Sequence, residues 1–156
     1  MQQTCNKHTL YSRLDSQCYL RNPMGAYTLK GNERVLSEEA FLVSETDEQG
    51  YIVFANNDFC DVAEYSIDEL VGRPHNIVRH PDMPKAAFKD LWDTVKNGET
   101  WSGFVKNAVK NSSEYYWVYA TVYPVSRNGK RCYISCRKKP TEDEITSSIA
   151  LYKTLV

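Results

Sequence analysis

No stretch of this sequence approaches the roughly 20 consecutive apolar residues needed to cross a bilayer, and its polar N-terminus lacks the apolar centre of a secretory signal. The expected location is the cytosol, with no membrane contact within this segment. Charge of one sign is not in excess: 19 basic and 20 acidic residues are well mixed and leave a net charge of -1. No strong field attracts phosphate backbones, which makes nucleic acid a poor candidate partner. The sequence has no CxxC pair, and its five cysteines, Cys5, Cys18, Cys60, Cys132 and Cys136, are odd in number. This argues against a disulfide framework or a zinc ribbon, and reduced thiols are the simplest reading. A nucleophile-elbow motif (Gly-x-Ser-x-Gly), a phosphate-cradling glycine-rich loop and a paired His-Cys-Asn arrangement are all missing, so nucleophilic catalysis is unsupported and no enzyme is expected. His75, His80 and Asp82 match no standard zinc spacing, so no metal site is expected. A single histidine leaves an axial haem ligand, and with it a haem-based gas sensor, as the weakest alternative.

What is present suits one domain with short appendages, because domains cluster near roughly 100 to 150 residues. Hydrophobic residues make up 42% and charged residues 25%, ordinary values for a packed soluble core. Residues 1–35 mix Asn, Gln, Ser, Thr and Arg without sustained periodicity and read as a loosely ordered arm, with Met24 as an alternative start. The domain proper is expected over residues 36–139, followed by a C-terminal helix over 140–156.

From Glu39 the pattern sharpens. Residues 40–44 and 51–55 are strand-like around the turn Asp47-Glu48-Gln49-Gly50, which predicts a hairpin. Short helical patterns follow at 57–64 and after Ser66, where Ser66 and Glu69 have capping-box spacing. Residues 85–96 carry Phe88, Leu91, Trp92 and Val95 on one stripe, the best helix of the chain, stopped by Asn97-Gly98. Three strand-like runs, 101–109, 115–125 and 131–137, are separated by turn-like segments and form an antiparallel meander. Thr141 and Glu144 form a second capping box, opening a helix in which Ile145, Ile149, Tyr152 and Leu155 repeat on one side. This order defines an α+β fold: a five-stranded antiparallel sheet, short helices on one face and an exit helix. Such layers leave a pocket between them, for a ligand or for side chains.

The run from Pro74 to Phe88, PHNIVRHPDMPKAAF, resembles the signature of the PAS domain of bacterial aerotaxis receptors. The resemblance continues through Gly98 to Gly103, Val105-Lys106-Asn107, Tyr116-Trp117-Val118 and the trailing helix, and covers about residue 36 to the C-terminus. It implies a PAS fold, a noncovalently held FAD, and signalling of redox, oxygen or energy state to a chemotaxis partner. The implied partner is a chemoreceptor signalling domain or a HAMP-type region, with homodimer formation; no output motif follows the exit helix before Val156. Carried over by position, the implied flavin-site residues are Asn56, Arg79, His80, Asp82, Trp101 and Asn107. The pattern departs after Asn107, where Ala108-Val109 stand in place of two basic residues. Missing cations weaken the hold on a second phosphate, so FMN stays beside FAD.

Each of these residues also has a plainer reading. Asn107 donates and accepts with a pyrimidine edge, or satisfies a neighbouring loop. Arg79 and His80 grip a phosphate, or form a solvated surface pair. Asp82 reads as the N-cap of the helix starting near Pro84, orienting Arg79 at once. Trp101 is a pocket wall by the resemblance, whereas Trp92 belongs to the core stripe. Cys132 and Cys136 share a strand face, as small buried residues. No cysteine lies between Cys60 and Cys132, which argues against blue-light adduct chemistry. The alternative to a flavin sensor is a cofactor-free PAS module that serves interaction and dimerisation.

Overall fold

The computed structural model describes residues 25–155. Among the described residues seven strands and four α-helices succeed one another: β1 (Tyr27–Lys30), β2 (Glu33–Leu36), β3 (Leu42–Thr46), β4 (Ile52–Ala55), α1 (Asn57–Ala63), α2 (Ile67–Leu70), a 3-10 turn (His75–Val78), α3 (Lys85–Lys96), β5 (Trp101–Ala108), β6 (Tyr115–Arg127), β7 (Lys130–Lys138) and α4 (Glu142–Lys153). Both expected capping boxes are formed, at Ser66/Glu69 and at Thr141/Glu144. Among the described residues no helix is long and apolar enough to cross a membrane.

The expected antiparallel five are present, in the order β5-β6-β7-β3-β4. The sheet is nevertheless larger than five strands. β1 and β2 pair as a hairpin inside the segment read as a loose arm, and β2 adds to β6 through one parallel pair, Glu33 opposite Tyr115. These strands are held by a long-range contact rather than by their own pattern. Arg34, 5% exposed, donates to Glu64 (2.9 Å), to Glu114 (2.5 Å) and to the Val62 carbonyl (3.0 Å), and lies over the Tyr27 ring. The expectations for residues 1–24 lie outside the described residues.

Strand alternation assigns the two faces. Tyr116, Val118, Ala120 and Val122 of β6, with Tyr133, Ser135 and Arg137 of β7, are buried on the face that α1, α2 and α3 cover. That burial of apolar surface is the main stabilising contribution. Cys132 and Cys136 do share a face, but it is the opposite one, where both are half-buried.

α4 lies on this opposite face. Tyr152 stacks on Trp117, with ring centroids 6.5 Å apart, and its hydroxyl donates to the Phe104 carbonyl at 2.5 Å. Its docked stripe is Ile145, Ser148 and Tyr152 rather than the predicted Ile145, Ile149, Tyr152 and Leu155; Ile149 and Leu155 are exposed. The shift places a serine at the contact, and its hydroxyl donates to the Glu144 carbonyl at 2.8 Å, which satisfies it there.

Candidate functional site

Between the sheet and the helical layer lies a cavity of about 510 Å³, within the range of roughly 300–1,000 Å³ typical of small-molecule sites. Its apolar walls come from Phe88, Leu91 and Trp92 of α3 and from Val105 and Val122 of the sheet. Its polar wall combines residues from distant parts of the chain: Ser44, His75, Arg79, Asn107, Ser135 and Arg137.

The loop before α3 is fastened to β5, which sets two of these side chains. Arg79 and Asn107 form an isolated antiparallel bridge, and the His80 N–H donates to the Lys106 carbonyl at 3.3 Å. The Lys106 N–H in turn donates to Met83 Sδ at 3.4 Å. Arg79 and Asn107 thereby face the cavity side by side. The Arg79 guanidinium lies 3.5 Å over the Phe88 ring, a cation–π contact, and among the described residues no carboxylate pairs with it. Burial lowers its pKa from the ordinary arginine value.

Across the cavity Arg137, 5% exposed, donates to Ser44 Oγ (3.0 Å) and to His75 Nε2 (2.8 Å), and its guanidinium stands over the Phe59 ring. An Nε2 that accepts from arginine belongs to a neutral ring with its proton on Nδ1. Burial and then the charge of Arg137 push the His75 pKa down to about 3. Burial brings Arg137 itself down to about 10, partly offset by Tyr116 and Cys136. Ser44 Oγ sits 3.0 Å from the same Nε2, within reach of a nucleophile–base pair. With Arg137 occupying Nε2 and suppressing its basicity, the pair cannot abstract the serine proton, so the geometry does not make a hydrolytic dyad.

Six residues were expected at the site from the sequence, and the structure brings two of them, Arg79 and Asn107, into the cavity wall. Asn56 stands elsewhere as a structural tie. Its Oδ1 accepts from Phe59 N–H and Val43 N–H at 3.1 Å each, capping α1, while Nδ2 donates to the Phe41 carbonyl at 2.7 Å. Asp82 neither caps α3 nor orients Arg79: the N-cap position is Pro84, without a side-chain bond, and Asp82 pairs with Lys106 Nζ at 2.8 Å. That bond holds its carboxyl below the usual range. His80 turns its Nδ1 to the Asp82 N–H (3.0 Å) and its ring edge to Tyr115. Trp101, on the cavity side of β5, donates Nε1–H to Asp90 at 2.8 Å and fastens α3 to the sheet. Ser44, Ser135 and Arg137 were not singled out from the sequence, and His75 was weighed there only with His80 and Asp82 as a metal cluster. For the strand residues the signal is a polar side chain at a buried position of the strand's period, as with Ser135 and Arg137 after the inward Tyr133; His75 lies on the 3-10 turn.

The donor set can be tested against a flavin. A flavin needs an apolar slot, donors for its ring carbonyls and cations for its phosphate. The slot is present, and so are two arginines, Arg79 and Arg137, that have no acidic partner among the described residues. Arg79 Nε and Ser135 Oγ are buried and find no hydrogen-bond partner among the described residues. Buried donors left open in a cavity wall call for a ligand that accepts. The residues present fit the group.

An α+β domain with a cavity between an antiparallel sheet and a cap of short helices is the class that fold and site define. The family model of the PAS fold matches residues 52–137, and the chain belongs to that family. It is 51% identical over 121 residues to the aerotaxis receptor of Escherichia coli strain K12, an alignment covering 77% of this chain and 24% of the receptor. The chain thus spans about a quarter of that relative's length. Among solved structures, a PAS domain from Colwellia psychrerythraea superposes with a TM-score of 0.58 at 19% identity, covering 65% of this chain and 87% of the other. A light-oxygen-voltage domain studied with a flavin analogue superposes with a TM-score of 0.59 at 19% identity, over 73% and 86% of the two chains. At these identities the superpositions speak for the fold.

Proposed function

We propose that this chain is a cytoplasmic PAS sensor that binds a flavin, FAD or alternatively FMN, and reports redox, oxygen or energy state to a chemotaxis signalling partner. The observation that carries the reading is the cavity wall itself: two arginines with no carboxylate partner among the described residues and open buried donors, set around an apolar slot. The half-identity to an aerotaxis receptor supports the taxis context.

A bound flavin supplies reversible electron uptake. Asn107 would bond the pyrimidine edge, and the open donors of Ser135 and Arg79 in the same wall would serve its acceptors. Arg137 divides its bonds between Ser44 and His75, so a change of charge in the cavity redistributes them. A ligand state shifts a two-state protein only through such differential contacts. β6 carries the consequence across the sheet, because its inward Val122 lines the cavity while its outward Trp117 supports Tyr152 of α4.

The test is the absorption spectrum of the purified full chain, with acid release and chromatography of the chromophore, for wild type and for Asn107→Ala and Arg79→Met. The expected result is a flavin spectrum in wild type and a flavin content lowered about ten-fold or more in the variants, the loss of a charge-assisted or buried contact being worth about 1.5–3 kcal/mol. A colourless wild type that takes up neither FAD nor FMN sinks the reading. Full flavin content in Asn107→Ala removes its central contact.

A further inference from the structure

The backbone of Asn107 is held from both sides. On one side it bridges Arg79, and on the other it stands directly opposite Tyr116 of β6. Residues directly opposite in an antiparallel pair send their side chains to the same face. Both are buried there, Asn107 at 4% exposure and Tyr116 completely. The backbone does not choose which end of the amide meets the cavity. Asparagine has a carbonyl oxygen at one end and an NH2 at the other, and rotation about χ2 exchanges them.

Tyr116 supplies a reason for one choice. It lies behind Asn107 rather than in the cavity lining, and its buried hydroxyl finds no hydrogen-bond partner among the described residues. A buried O–H without an acceptor keeps the whole cost of its desolvation. Burial pushes its pKa up, so it holds its proton, and the side chains near enough to act on it are Arg137, Tyr65, Arg34 and Asn107. The two guanidiniums only donate, so neither can accept that proton in a bond. The side-chain acceptors left are the Asn107 carbonyl oxygen, on the facing strand, and the hydroxyl of Tyr65, a half-buried ring between α1 and α2.

Resting on the flavin reading, we infer that Tyr116 is a positioning residue for the ligand: its hydroxyl donates to Asn107 Oδ1 in the ligand-bound protein and so turns Nδ2 into the cavity. Nδ2 then joins Arg79 Nε and Ser135 Oγ, the two open donors of the same wall. The ligand edge that such a wall selects is one of acceptors, carbonyl oxygens and unprotonated ring nitrogens. Tyr116 acts on it only through the amide in front.

The experiment is a fluorescence titration of FMN into the full chain freed of flavin, run as a double-mutant cycle of Tyr116→Phe and Asn107→Ala. Phenylalanine keeps the ring and removes only the hydroxyl. Tyr116→Phe is expected to weaken FMN binding about three- to ten-fold beside Asn107, and by less than about two-fold in the Asn107→Ala chain. The same factor in both backgrounds overturns the proposal, as does an unchanged or tighter Kd beside Asn107; the flavin reading survives either result. If a variant does not fold, NMR of the wild-type chain with FMN bound decides instead. A slowly exchanging Tyr116 hydroxyl proton with a cross-peak to the Asn107 amide is expected; its absence, or a cross-peak to the Tyr65 ring in its place, overturns the assignment. A wild type that takes up neither FMN nor FAD removes the flavin reading and this proposal together.

Discussion

Gly103 and Trp101 behave as one packing unit. The indole lies so close over the glycine that an added Cβ would stand 2.4 Å from Cη2 and 2.5 Å from Cζ2. Nor can the ring retreat freely, since Nε1 is bonded to Asp90 of α3. Gly103→Ala is therefore expected to lower stability by about 1–3 kcal/mol, the usual cost of overpacking a core, read from urea unfolding midpoints. An unchanged midpoint would show that Trp101 is not held as described. Resemblance singled out Trp101 but not its work: a pocket wall was expected, and a clamp between helix and strand is found. His80 and Asp82 likewise proved to be fasteners of the loop that delivers Arg79. The cavity residues that went unmarked are two ordinary serines and an arginine, and His75 was weighed only as a metal ligand. They become a site only when strands 90 residues apart in sequence are laid side by side, as with Ser44 and Arg137.

At the level of elements, those with a strong local pattern were legible. The stripe of α3 fixed its bounds at Lys85–Lys96, and both capping boxes marked where α2 and α4 begin. The β1–β2 hairpin was not, although Gly31-Asn32 sits between Tyr27-Thr28-Leu29 and Arg34-Val35-Leu36. Its strands are only four residues long, and its partners Glu64 and Glu114 are remote. Arg34→Ala removes the latch and strands those carboxylates. We expect a loss of about 1–3 kcal/mol, discounted because Glu64 is half-exposed, together with faster amide exchange confined to Tyr27–Leu36. Exchange rising equally across β5, β6 and β7 would mean that the hairpin is not a separable unit.

For the molecule as a whole, the cluster of Ser44, His75 and Arg137 ties stability to pH. Folding keeps the His75 ring neutral down to about 3, whereas the unfolded chain takes up a proton near 6.5. The unfolded state binds more protons between those values, so stability is full above pH 6.5 and falls as pH drops toward 3, with a slope of about one proton from this residue. His75→Gln, whose amide still accepts from Arg137, should lose that part of the slope in a series of unfolding midpoints. Parallel profiles for the two proteins would place the proton on the folded ring. The same view of the molecule shows where its outer elements meet. Lys30 at the tip of the first hairpin reaches Glu142 at the start of α4, 3.0 Å away. The tip of the first hairpin and the start of α4 thus meet, so that two elements on either side of the five-stranded sheet in sequence border each other in space.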